Sequence, residues 1–61
     1  MNLLDRLKPE YKEKLTEDCI NVLSNYDFVV EMNILDAQLV CYALTGKSIE
    51  LGILLDLFIT P

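Results

Sequence analysis

The chain has no histidine and no tryptophan, two cysteines, two glycines, two prolines, and half as many basic residues as acidic ones. Each shortage removes a class of function. Without histidine no side chain has an ordinary pKa near neutrality, so general acid–base catalysis lacks its commonest group. No serine stands in a Gly-x-Ser-x-Gly nucleophile turn. Catalysis is therefore not expected. Cys19 and Cys41 are far apart and have no histidine to join them, so a single chain cannot assemble a zinc cluster. The expectation is two reduced, buried thiols behaving as small hydrophobes, which suits a cytoplasmic protein without metal or cofactor. Five Lys and Arg stand against ten Asp and Glu, a net charge of -5. Nucleic-acid binding depends on clustered cations that neutralise phosphates, so nucleic acid is not an expected partner.

Long apolar runs are missing as well. The longest stretch without a formal charge, Ala37 to Gly46, falls far short of the ~20 residues of a membrane-spanning helix. The start, Met1-Asn2-Leu3-Leu4-Asp5-Arg6, lacks the apolar centre of a signal peptide. The 61 residues read as one small helical domain, 1–61. A chain this short is marginally stable alone, and domains of this size add disulfides, metals or self-association. Self-association is the route left open here.

What remains is unevenly distributed. Eleven charged residues fall in Met1 to Glu31 and only Asp36, Lys47, Glu50 and Asp56 beyond it. The first half reads as a solvated cover and the second as a core. Asn2 can cap a short helix carrying Leu3, Leu4 and Leu7. Pro9 suits the first turn of a fresh helix, expected to run to about Asn25. Its apolar face is Tyr11, Leu15, Cys19, Val22, Leu23 and Tyr26, and Glu10–Lys14 is an i,i+4 pair on its polar side. Ser24-Asn25-Tyr26-Asp27 is turn chemistry. Beyond it, either Asp27 caps one long helix to Thr45, or Phe28 to Val30 is a short extended connector and Asn33 caps a shorter helix. In both readings Ile34 to Leu44 is helical and Gly46 is its stop.

The last segment carries a conflict. Ile49, Leu51, Ile53, Leu55, Leu57 and Ile59 alternate as on a strand, while the same stretch on a helix is apolar nearly all round. Leucine richness, Ser48 as a helix cap and the want of a partner strand favour helix. The expected fold is all-α, a small bundle of two or three main helices whose last two form an antiparallel hairpin. The alternative is α+β, with a short strand at 28–32 and a second at 49–59.

Sequence motifs add little. Gly46-Lys47-Ser48 lacks the upstream glycine of a phosphate-binding loop, where Cys41 stands instead. A helix-turn-helix reading fails because its second helix would present Ile, Leu and Phe with Glu50 and Asp56 to DNA. Glu13, Glu17 and Asp18 on one helix form a solvated face rather than a wrapped cation site. The feature that ordinary core-building does not absorb is the apolar excess from Phe28 to Ile59, which marks an interaction surface.

The expected function is that of a small acidic intracellular interaction module, a regulatory adaptor or an inhibitor acting by occlusion. Such proteins are common in phage and mobile-element genomes, an analogy only. Its partner is itself, as a homodimer or higher assembly, or a helix of another protein. The expected interface residues are Leu39, Tyr42, Leu51, Leu54, Leu55 and Phe58. Aspartate at Leu55 or Phe58 should then dissociate the assembly. The alternative is an acidic mimic of nucleic acid that blocks a DNA-binding protein through Asp5, Glu10, Glu13, Glu17 and Asp18. Arg6, Lys8, Lys12 and Lys14 are interleaved among them and dilute that field.

Overall fold

Asn2 starts the first helix with a reciprocal cap. The Asp5 amide donates to Asn2 Oδ1 at 3.1 Å, and the Asn2 amide donates to Asp5 Oδ2 at 3.3 Å. The computed structural model describes residues 1–59. Residues 60 and 61, the end of the expected domain, lie outside the described residues. Helix α1 spans Leu3–Arg6, α2 Pro9–Lys12, α3 Glu17–Ser24, α4 Ile34–Thr45 and α5 Leu51–Asp56, with a 3-10 turn at Val29–Glu31. The fold is all-α, as the sequence predicts.

The single helix expected from Pro9 to Asn25 is two helices. Thr16 adopts an extended backbone, φ -101° and ψ 165°, and its hydroxyl accepts from the Cys19 amide at 3.2 Å. A threonine that bonds a nearby backbone amide favours a fresh helix start over continuation. Glu17 and Asp18 then occupy the first turn of α3, where carboxylates suit the helix dipole. Lys14 falls between helices, so the Glu10–Lys14 helical pair does not form. The apolar face survives the break: Cys19 and Leu23 are buried, and Tyr11, Leu15, Val22 and Tyr26 pack beside the core.

Of the two readings around Asn33, the shorter helix is correct, but the connector before it is not extended throughout, because Val29–Glu31 forms a 3-10 turn. Asn33 Oδ1 accepts from the Asp36 amide at 2.8 Å and opens α4. Gly46 ends it with φ 74°, and its amide donates to the Tyr42 carbonyl at 2.9 Å. That left-handed conformation is cheap only for glycine. Ser48 does not cap α5. The cap position is Glu50, extended at φ -149° and ψ 134°, without a side-chain bond. The chain from Lys47 to Glu50 instead carries Ile49 back against the core.

The helices enclose one cluster: Leu3 and Leu7 from the start, Leu23 from α3, Ala37, Val40, Cys41 and Leu44 from α4, and Leu54, Leu57 and Phe58 from the end. Each fully buried leucine contributes about 1.5–3 kcal/mol. The first half is thus not only a cover, since it supplies part of the core. Helix α4 lies in the middle, packed on α3 and on α5. The C-terminal segment closes the fold through one antiparallel bridge between Leu7 and Phe58. Near it Lys8 Nζ lies 3.6 Å from Asp56 Oδ1, an exposed pair of small energetic weight.

Candidate interaction surface

Helix α4 has two apolar sides. Ala37, Val40, Cys41 and Leu44 face inward. Leu35, Gln38, Leu39 and Tyr42 recur at helical spacing on the other side and face solvent, with Leu35 76% and Tyr42 70% exposed. These four residues, with Ser48 and Ile49, line a shallow concavity of about 350 Å³. It is concave because Gly46 turns the chain and Ile49 folds back beside the helix.

The structure divides the six expected interface residues. Leu39, Tyr42, Leu51 and Leu55 are exposed, Leu51 and Leu55 one helical turn apart on α5. Leu54 and Phe58 are 5% and 6% exposed and belong to the monomer's own core. A side chain already buried inside its own chain offers no surface to a partner. Leu35, Gln38 and Ile49 belong to the surface and were not picked out from sequence. Leu35 could have been found from the i, i+4, i+7 row Leu35–Leu39–Tyr42; no local signal pointed to Gln38 or Ile49.

Other surface features are more mixed. A hollow of about 300 Å³ is lined by Tyr11, Lys14, Lys47, Ile53 and Asp56, so charges of both signs border it. A second hollow of about 300 Å³ lies between Met1, Asp5, Arg6 and Ile59. The Arg6 guanidinium sits 5.1 Å from the centre of the Phe28 ring, a cation–π contact. Arg6 Nε is buried and finds no hydrogen-bond partner among the described residues.

The polar groups with chemical character are tied into the fold. Tyr26 Oη donates to Asp36 Oδ2 at 2.6 Å, linking the end of α3 to the first turn of α4. That hydrogen bond, with desolvation and the Asp36 charge, raises the Tyr26 phenol above its ordinary value. Cys19 and Cys41 are free and buried, and burial pushes the Cys41 thiol up. Among the described residues no three His, Cys, Asp or Glu side chains gather as a metal site, and no helix is long and apolar enough to cross a membrane. No protein-family profile matches the chain, and neither a curated protein nor a solved structure matches it.

Proposed function

We propose that this chain is a protein–protein interaction module that docks through the outer face of α4 and acts by binding rather than catalysis. A regulatory adaptor, or an inhibitor that works by occlusion, is the class it fits. The observation that supports this reading is the row Leu35, Leu39 and Tyr42. It is exposed along one side of the central helix and shares a single hollow with Ile49. Scattered exposed hydrophobes are ordinary on a protein surface, whereas a contiguous uncharged row is the form of a helix-docking surface. A quarter of the residues are charged, yet none of them lines this hollow.

The experiment compares the wild-type chain with a Leu35→Asp/Tyr42→Asp variant. Both positions are exposed, so each change should alter stability by no more than about 0.5 kcal/mol. Circular dichroism checks that the variant folds. Self-assembly and capture of partners from a lysate are then measured for both proteins. The reading expects the folded variant to lose the associations that the wild type makes. If every association survives in the variant, the α4 face is not the docking surface.

A further inference from the structure

We infer that the occupant of this face is a second copy of the same chain, packed about a two-fold axis that passes beside Gln38. The inference rests on the interaction reading above and names its partner.

Charge is the first argument. The chain carries -5, and in a two-fold contact a charge close to the axis meets its own copy, of the same sign. The only charged residue in α4 is Asp36, and Tyr26 holds its carboxylate from the α3 side. The outer row is therefore free of charge, and the acidic groups that would repel a second copy lie on other elements. A strongly basic or acidic partner would find no complementary group there.

Gln38 is the second argument. It is exposed, it is the one carboxamide among the residues lining the hollow, and it stands between Leu35 and Tyr42. A carboxamide carries donors and an acceptor, so it is complementary to its own copy, which a carboxylate or an ammonium is not. A single polar group in an apolar helix contact also fixes register. In an antiparallel α4 pair centred here, Leu35 of each copy falls against Tyr42 of the other, and Gln38 and Leu39 flank the axis.

Size is the third. A specific interface of standard size takes about 800 Å² from each partner, roughly a fifth of this chain's 4111 Å². The row of Leu35, Leu39 and Tyr42, with Ile49 beside it in the same hollow, is by itself smaller than that share. The dimer should form and dissociate with concentration, and pairing adds apolar burial to a chain too short to bury much alone.

The test is sedimentation velocity over a hundredfold concentration range on four samples: wild type, Gln38→Glu, Gln38→Lys, and an equal mixture of the two variants. Only a contact that sets position 38 near its own copy responds to all three changes. The expected result is a reversible wild-type dimer and association about tenfold weaker or more in each variant alone, from like charges across the axis. The mixture should recover association. A wild-type chain that stays monomeric throughout overturns the inference, and leaves the interaction reading to the Leu35→Asp/Tyr42→Asp comparison. Equal association in all four samples, or weakening without recovery on mixing, overturns the axis at Gln38.

Discussion

Phe58 lies opposite Leu7 across an antiparallel bridge: the Lys8 amide donates to the Leu57 carbonyl at 3.0 Å, and the Ile59 amide to the Arg6 carbonyl at 2.8 Å. Both side chains are buried in the core. The segment after α5 therefore joins the start of the chain to its end. Phe58→Ala should cost about 3–5 kcal/mol. A 61-residue domain has only roughly 3–9 kcal/mol in total. Urea denaturation should find the Phe58→Ala midpoint far below that of the wild type, and Phe58→Asp less stable still. The sequence-based expectation that Phe58→Asp merely dissociates an assembly is thereby replaced. A Phe58→Asp chain with the wild-type urea midpoint would refute the bridge.

The Tyr26–Asp36 hydrogen bond has a consequence at high pH. A phenol whose folded pKa lies above its unfolded value of 10.0 binds more protons in the folded state over that interval. Its contribution to stability is complete below the unfolded pKa and is lost as pH rises through the folded one. Stability should fall above about pH 10, and Tyr26→Phe should remove its share of that fall. Urea midpoints of the two proteins at neutral and alkaline pH make the comparison. Parallel declines would show that the Tyr26 proton is not linked to folding.

Both thiols should be silent in the native state. Cys19 and Cys41 are each 0% exposed, and burial disfavours the Cys41 thiolate. An aromatic disulfide reagent should label neither cysteine until urea unfolds the chain, when both react. Rapid labelling of native protein would contradict the packing of α3 on α4.

The two glycines should respond in opposite ways to alanine. Gly46 has open space around its Cβ position, but its φ of 74° strains any side chain, so Gly46→Ala should lose about 1–2 kcal/mol. Gly52 lies within α5, also with nothing near, and Gly52→Ala should gain about 0.5–1 kcal/mol. Thermal denaturation of the two variants gives the sign of each. A gain at Gly46 would mean that α4 does not end in a left-handed turn.

Local signals were legible where one side chain decides the outcome. Asn2, Asn33 and Gly46 each act as their chemistry predicts, because a cap involves residues three or four apart. Thr16 was equally visible, but the run of apolar positions through Tyr11, Leu15 and Cys19 masked it. The division of the last segment was not legible. Leu51, Leu54, Leu55 and Phe58 are equally apolar, and which of them turn inward depends on partners distant in the chain, as Phe58 on Leu7 about fifty residues earlier. The same limit applies to α4, where both sides are apolar and only the placement of α3 and α5 identifies the outer one.

The most direct measurement is a dilution series of amide proton–nitrogen correlation spectra over a hundredfold range. Concentration-dependent shifts or broadening are expected only at Leu35, Gln38, Leu39, Tyr42 and the Ser48–Ile49 segment, with the amides of α1 and α2 unmoved. Spectra that do not change with concentration, or changes centred on another surface, would contradict pairing through the outer face of α4.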